Sequence, residues 1–278
     1  MKLRIEKNAG LIMLKVLEKT WDEFWATHWR IDDRHSIPGI FEWDRQLVNF
    51  IENVCQLSPG QRILDLGCGG GDQAKVFAQK GYEVVGVDIA PSLIKFAQQQ
   101  FQKEGLGGTF MIGDMRSIDY DAEFDACVLL SGTFGFFGDV EDQKLLRSIC
   151  RAIKLGGKAF IMFLSANRLN KHSTSWSEKK DGWELNESWF DTETSTYRSR
   201  IFIIRKNGTL LRPKAESGYH ANEVVRCYTI PEMREMLSKA GLRYVASYSD
   251  DDLSVPPQPP VPEAVRNIVV AERPKEEK

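Results

Sequence analysis

The sequence contains few cysteines, and none of them form a metal-binding or redox pair. The five cysteines stand at positions 55, 68, 127, 150 and 227. No C-x-x-C motif occurs, and no metal-ligand spacing surrounds Cys68. An odd number of cysteines without a pairing pattern is typical of thiols in a reducing compartment. We therefore expect a cytoplasmic protein without a metal site.

Long apolar runs and an excess of positive charge are also absent. LIMLKVL (11–17) is interrupted by Lys15, and no signal-peptide cleavage pattern follows it. No other stretch approaches the roughly 18 apolar residues that a membrane helix needs. The formal net charge of −2 does not match the broad basic surface of a protein that neutralises many phosphates. We predict a soluble protein with neither a membrane nor a nucleic-acid partner.

The chain does contain a regular alternation of strands and helices between residues 60 and 165. Short apolar runs rich in β-branched residues predict strands, and the segments between them have a helical period. Strands are predicted at 62–67, 83–89, 109–114, 124–131 and 158–164, and helices at about 72–80, 91–104 and 139–154. The alternation predicts an α/β fold, in which a mostly parallel sheet is covered by helices.

The alternation stops after residue 165. Runs at 182–191, 196–207 and 223–229 predict strands joined by turns, which is typical of an antiparallel insertion over 166–228. A helix at 231–240 and strands at 242–249 and 266–273 then return to the main sheet. The Rossmann-like core would begin at residue 59. Together with the two strands in 229–278, it would contain seven strands.

Tryptophan is concentrated near the N-terminus. Trp21, Trp25 and Trp29 recur every four residues, so a helix would carry all three on one face. The stripe fits a core-facing helix, and it also fits a lid that excludes water from a site. We predict that residues 1–58 form an N-terminal helical lid or cap.

The strongest motif is ILDLGCGGGDQA (63–74), in which a predicted strand passes through four glycines directly into a helix. Such a turn lets the backbone approach a ligand closely, and the following helix presents free N–H groups. Taken alone, the turn also fits a pyrophosphate-binding dinucleotide site. Asp65 favours a cationic ligand instead, because a carboxylate beside a pyrophosphate would be repelled.

The string D-L-G-C-G-G-G resembles the first motif of the class I S-adenosylmethionine-dependent methyltransferases. Two further strand ends carry the resemblance: Asp88, after EVVGV, would accept hydrogen bonds from the ribose hydroxyls, and Asp114-Met115 would meet the adenine. The resemblance implies the class I methyltransferase fold and S-adenosylmethionine as cofactor, with S-adenosylhomocysteine as product. The cofactor-binding residues that it implies are Asp65, Gly67, Cys68, Gly69, Gly71, Asp88, Ile89, Asp114, Met115, Leu130 and Ser131. Asp88 and Asp114 also fit ordinary helix N-caps.

The acceptor is less clearly indicated. Ser131-Gly132-Thr133-Phe134 follows the fourth strand where amino-methyltransferases of adenine or glutamine have an Asn-Pro-Pro-Tyr or Asp-Pro-Pro-Tyr string, which favours a small-molecule acceptor. Phe134 and Phe136 could wall a substrate pocket, or they could only pack the loop. The predicted substrate-binding residues are Trp25, Trp29, Phe134, Phe136, Arg200 and Arg226, and the candidate general bases are His220, Tyr219 and Tyr197. A base is optional, because methyl transfer from a sulfonium can rest on positioning alone.

We therefore predict an enzyme that transfers a methyl group from S-adenosylmethionine to a nitrogen, oxygen or carbon atom of a small molecule. The insertion would cap the substrate or join subunits, so the protein could be a monomer or a homodimer. The alternatives are an RNA or protein methyltransferase, a non-catalytic cofactor-binding regulator and an NAD-linked oxidoreductase.

Overall fold

The structure is a computed structural model, which describes residues 2–7, 10–19, 23–24, 34–35, 37, 39–167, 172–179, 181–213, 223–261 and 264–275. The chain divides into two compact units, one formed by 1–28 with 170–225 and the other by 29–169 with 226–278. The strands are β1 (Lys2–Lys7), β2 (Gly10–Lys19), β3 (Arg62–Leu66), β4 (Glu83–Asp88), β5 (Thr109–Ile112), β6 (Phe124–Phe134), β7 (Ile153–Leu164), β8 (Ser173–Lys179), β9 (Gly182–Asp191), β10 (Thr196–Arg205), β11 (Thr209–Pro213), β12 (Glu223–Arg226), β13 (Arg243–Ser249) and β14 (Arg266–Glu272). The α-helices are α1 (Ile40–Cys55), α2 (Asp72–Gln79), α3 (Pro91–Glu104), α4 (Gly138–Ala152) and α5 (Ile230–Lys239).

The larger unit is built on one seven-stranded sheet in the order β13-β14-β7-β6-β3-β4-β5. The five strands β3 to β7 run parallel to one another, whereas β14 runs antiparallel to both β7 and β13. The chain leaves β3 towards β4 on one side and later returns on the other side of β3 as β6. This reversal places the switch point of the sheet between β3 and β6, where ligands of open α/β sheets bind beyond the strand ends.

Successive side chains of the strands feed two cores on opposite faces of this sheet. On β3, Leu64 and Leu66 pack with the buried side chains of α4 and α5. Ile63, between Arg62 and Leu64, belongs to the other core, which contains buried residues of α1, α2 and α3. This period of two is expected of a sheet that is covered by helices on both faces.

The smaller unit is a second sheet, in the order β1-β2-β11-β10-β9-β8 with β12 paired to β10. The strands β8 to β11 form an antiparallel meander, and Tyr197 of β10 lies opposite Phe190 of β9. The strand β2 joins this meander parallel to β11, with Thr209 opposite Lys15. The N-terminal strands and the insertion therefore belong to one sheet.

The predicted α/β fold is confirmed, since every strand and helix predicted from residue 60 onward is present with shifts of no more than a few residues at the ends. The N-terminal helical prediction is wrong for Lys2–Lys7 and Gly10–Lys19, which form an antiparallel pair. KLRIEK alternates polar and apolar residues with a period of two, which is typical of a strand rather than a helix. Trp25 and Trp29 lie outside the described residues, so the lid stays a prediction, as does the cap or subunit-contact role of the insertion.

Within the described residues, no helix is both long enough and apolar enough to span a membrane.

Gly86 of β4 gives a direct test of the packing beneath the glycine-rich turn. A methyl group at this position would lie 2.7 Å from Cys68 Sγ and 2.7 Å from a ring carbon of Phe110, whereas nothing lies within 4 Å of a methyl group at Gly107. Gly86→Ala should therefore lower the free energy of unfolding by about 1–3 kcal/mol through overpacking. Urea unfolding measures this loss, with Gly107→Ala as the matched control. Equal stabilities of the two variants would show that the turn has room to move.

Candidate functional site

The turn after β3 has the backbone conformation that its glycines predict. Gly67, Gly69 and Gly71 have φ values of 71°, 54° and 79°, in the left-handed region that favours glycine. Gly71 directly precedes α2, and a methyl group on it would lie 3.1 Å from Ala97 Cβ. The turn therefore brings bare backbone and a helix N-terminus to the carboxyl edge of the sheet.

Asp65 is buried at the end of β3, with 1% of its surface exposed. Its Oδ2 atom has no hydrogen-bond partner among the described residues. Burial and the nearby charge of Asp88 raise the pKa of Asp65 to about 7, although the charge of Arg34 acts in the opposite direction. A buried carboxylate oxygen without a partner is costly, so this arrangement suits a positively charged ligand group.

Asp88 stands at the end of the neighbouring strand and faces the same turn. Its Oδ2 accepts a hydrogen bond of 2.9 Å from the Gly69 N–H, and its Oδ1 accepts one of 2.8 Å from the Ala90 N–H. Burial raises the pKa of Asp88 despite these bonds. Each carboxylate oxygen has a second lone pair, so Asp88 can shape the turn and still accept hydrogen bonds from a ligand. Ile89 follows it and is half-buried.

Asp114 behaves differently from the other two carboxylates. It caps the 3₁₀ turn Met115–Ser117 by accepting a 2.8 Å hydrogen bond from the Arg116 N–H, which confirms the N-cap alternative. Burial acts to raise the pKa of Asp114, but hydrogen bonds and charge from Arg116 outweigh it and lower the pKa. Asp88 is thus close enough to Asp65 to raise its pKa, while the carboxylate of Asp114 is paired with Arg116. Met115 does reach the turn, since its methyl carbon would lie 3.3 Å from a Cβ on Gly67.

The end of β6 closes the other side of the turn. Thr133 lies beside Gly67, because its Cγ2 would be 3.5 Å from a Cβ at that position. Its hydroxyl donates a 2.8 Å hydrogen bond to the carbonyl of Leu130, whose side chain is buried in a core. Ser131 is exposed and has a φ of 60°. Thr133 was not predicted as a site residue, although it belongs to the string Ser131-Gly132-Thr133-Phe134 at the end of this strand.

Cys68 is a packing residue of the turn. It is 5% exposed, and burial together with the charges of Asp65 and Asp88 raises its thiol pKa. A thiol that stays protonated is a poor nucleophile and a poor metal ligand. Its place in the loop is therefore that of a small apolar side chain.

A charged network that the sequence did not reveal lies next to the turn. Arg34 donates to Asp44 over 3.0 Å and to Asp72, the first residue of α2, over 2.6 Å. His35 Nε2 lies 3.0 Å from Asp72, and Gln73 donates a 2.8 Å hydrogen bond to Asp44. This network fixes residues 34–35 to the start of α2, and Arg34 is close enough to Asp65 to act on its pKa.

Two of the predicted substrate residues make structural contacts. Phe134 is fully buried in a core and packs on Tyr228 at a ring distance of 5.4 Å, which is the packing alternative. Arg226 forms ion pairs with Asp139 at 3.0 Å and with Glu232 at 2.6 Å. The substrate contacts of Phe134 and Arg226 stay predictions, and the burial of Phe134 favours the packing alternative. Phe136 is half-buried and stays a prediction.

The remaining candidates lie in the smaller unit or outside the described residues. Tyr197 and Arg200 are on β10, where Arg200 forms a 2.9 Å ion pair with Glu187 and lies over the ring of Trp189. His220, Tyr219, Trp25 and Trp29 are not among the residues that the structure describes. Their catalytic and substrate roles remain predictions.

Comparison with known proteins gives a consistent picture. The family described as methyltransferase domain matches residues 63–157. The ubiquinone/menaquinone biosynthesis C-methyltransferase UbiE of Yersinia pestis is 26% identical over 197 residues, which cover 69% of each chain. The CcbJ methyltransferase from Streptomyces caelestis has a TM-score of 0.67 at 17% identity, over 92% of this chain and 97% of that one. The sugar N-methyltransferase KedS8 from Streptoalloteichus has a TM-score of 0.58 at 17% identity, over 98% and 99%. These structural likenesses show a common fold.

Asp65 should destabilise the protein as the pH rises. Because its folded pKa of about 7 lies above the ordinary value of about 4, the folded state binds one more proton than the unfolded state between these two pH values, and stability therefore falls as the pH rises from about 4 to about 7. Asp65→Asn removes the ionisable group, and with it the free-energy cost of a buried negative charge. Its stability relative to the natural protein should increase by on the order of 2 kcal/mol between pH 5 and pH 8.

Urea unfolding at the two pH values measures this difference, with Asp121→Asn, at an exposed position, as the baseline for losing one negative charge. A relative stability of Asp65→Asn that does not change with pH would contradict the assigned environment of Asp65.

Proposed function

Because the chain is a class I S-adenosylmethionine-dependent methyltransferase, we propose that it methylates a nitrogen, oxygen or carbon atom of a small-molecule acceptor. The observation that carries the site assignment is the buried Oδ2 of Asp65, which has no partner among the described residues. The amino group at the methionine end of the cofactor is a cation of the kind that this oxygen needs. Asp65 would hold it beside the bare backbone of the turn.

The other cofactor contacts follow from the neighbouring strand ends. Asp88 retains free lone pairs and would accept hydrogen bonds from the ribose hydroxyls, with Ile89 beside it. Met115, whose methyl lies against the turn, would pack on the adenine ring. Asp114 would accept a hydrogen bond from the adenine amino group with a lone pair that does not bind Arg116.

We also assign a cofactor contact to Arg34. The methionine end of the cofactor carries both an ammonium group and a carboxylate group. Asp65 would bind the ammonium group, so the carboxylate needs a positive partner close to it. Arg34 is held by two buried carboxylates and acts on the pKa of Asp65. A guanidinium has five donors, and can therefore keep these bonds while donating to one more carboxylate.

The bound cofactor supplies a methyl group on a positive sulfur, and the protein contributes by position and by exclusion of water. The in-line transfer needs the acceptor atom close to the methyl carbon, which is a matter of orientation. The segment Ser131–Phe137, which comprises the end of β6 and the turn before α4 and is called the loop from here on, would border the acceptor. Phe136 is the half-buried aromatic residue of this loop that could contact it.

The relatives support a small acceptor and leave its reacting atom open. The printed name of UbiE refers to a C-methyltransferase of quinone biosynthesis, and that of KedS8 to a sugar N-methyltransferase. Both names refer to small molecules, but the methylated atoms differ. All five cysteines are free thiols, which supports a reducing compartment such as the cytoplasm as the place of action.

A methyl-transfer screen tests the acceptor class. The protein is incubated with methyl-deuterated S-adenosylmethionine and panels of amines, phenols, sugars, carboxylates, peptides and RNA, and the products are identified by mass spectrometry. We expect labelled product in one of the small-molecule panels. Label in the peptide or RNA panel alone would refute the small acceptor, and cofactor binding without transfer to any panel would indicate a non-catalytic protein.

Loss of Asp88 should weaken cofactor binding. Asp88→Ala removes the hydrogen bonds to the ribose, which should cost roughly 1.5–3 kcal/mol of binding free energy. Titration calorimetry with S-adenosylhomocysteine measures the change, with Asp121→Ala as the control. An unchanged affinity of the Asp88 variant would refute its assignment to the ribose.

A further inference from the structure

The loop Ser131–Phe137 has a backbone that requires external support. Ser131, Gly132 and Gly135 have φ values of 60°, 75° and 110°. The left-handed conformation is unfavourable for serine, and such residues persist only where the surroundings fix them. The supports of this loop therefore decide whether it keeps its position.

The position of the loop matters for the proposed cofactor site. Thr133 approaches Gly67 so closely that a Cβ there would lie 3.5 Å from its methyl and 3.6 Å from its hydroxyl oxygen. A shift of the loop by about one ångström would open or close the space over the turn, and errors of this size are costly in active sites.

A buried carboxylate on α4 stands behind the loop. Asp142 has no exposed surface and accepts a 2.8 Å hydrogen bond from the Tyr228 hydroxyl through Oδ2. Burial raises the pKa of Asp142 to about 6, while the Tyr228 hydroxyl and the backbone N–H groups of Phe137 and Gly135 act to lower it, and Asp139 acts to raise it. The carboxylate therefore lies directly behind the loop, close to the backbone N–H groups of Gly135 and Phe137.

Tyr228 connects this carboxylate to the end of the sheet. Its N–H donates to the carbonyl of Leu164 over 3.1 Å, and its ring packs on Phe134 inside the loop. Two residues earlier, the N–H of Arg226 donates to the carbonyl of Gly135 over 2.8 Å, and the guanidinium lies over the Tyr228 ring. The loop is thus held by one cluster through the Gly135 carbonyl and through the side chain of Phe134.

We propose that Tyr228 and Asp142 are positioning residues, which hold the loop Ser131–Phe137 against the glycine-rich turn so that the cofactor site is formed before the cofactor binds. The inference rests on the proposed cofactor site. It also gives Arg226 a role, in supporting the loop, that differs from the substrate contact predicted from the sequence.

The test is Tyr228→Phe, which removes the hydroxyl and keeps the ring. A matched control is Tyr82→Phe, because Tyr82 is also buried and donates to a carboxylate, that of Glu52, over 3.0 Å, next to the start of β4 and away from the loop. The Tyr228 hydroxyl also lies 3.2 Å from Asp139 Oδ1. Both variants should lose similar amounts of stability, because each loses one hydroxyl that donates to a carboxylate. Only Tyr228→Phe should weaken S-adenosylhomocysteine binding, by about tenfold, since a misplaced support costs affinity through lost preorganisation.

Calorimetry measures the affinities, and no acceptor is needed, so the result is independent of the acceptor screen. An affinity of Tyr228→Phe within about twofold of the natural protein would overturn the proposal, as would an equal loss in Tyr82→Phe. A second pair of variants extends the test: Asp142→Asn keeps an accepting oxygen and should retain most of the affinity, whereas Asp142→Ala should not. Equal affinities for this pair would also overturn it.

Discussion

The site depends on a carboxylate that the fold buries without a partner. Asp65 stands at the end of a central strand, its Oδ2 faces no donor among the described residues, and a second carboxylate, Asp88, is near enough to raise its pKa. Folding must supply the free energy that this arrangement costs. Such a carboxylate does not stabilise the fold by itself. Its ionised form becomes favourable when a cation lies beside it. The positive end of S-adenosylmethionine meets that requirement.

The topology explains why one site can draw on several strands. The strands β3, β4 and β6 are parallel neighbours at the point where the chain reverses direction across the sheet. Their carboxyl ends bring Asp65, Asp88 and Thr133 to one edge, although these residues are far apart in sequence. The glycine-rich turn fills the space among them with backbone, and Gly86 and Gly71 leave no room for larger side chains behind it. Tight packing behind the turn and open backbone in front of it are two results of the same glycines.

The sequence predicted those features that local pattern determines. Hydrophobic period and glycine position gave the core sheet and its helices, and the strand-end carboxylates identified the site. The N-terminal strands were missed because an apolar N-terminal stretch followed by a tryptophan stripe was interpreted as helical throughout, although KLRIEK has the period of a strand. The network of Arg34, Asp44 and Asp72 could not be found, because nothing in the spacing of these residues indicates that they meet. Pairings between distant segments depend on tertiary packing.

Phe134 and Arg226 show why residue type and location are insufficient evidence for a substrate contact. Both stand beside the cofactor edge of the sheet, and an aromatic ring and a guanidinium are common groups for binding small molecules. Their observed contacts are explained without a substrate, because Phe134 is buried against Tyr228 and Arg226 forms ion pairs with Asp139 and Glu232. Asp65 is the opposite case, since its oxygen lacks a partner where one is required. In this fold, a buried carboxylate oxygen that lacks a partner at the carboxyl edge of the sheet is therefore stronger evidence for a binding residue than residue type alone.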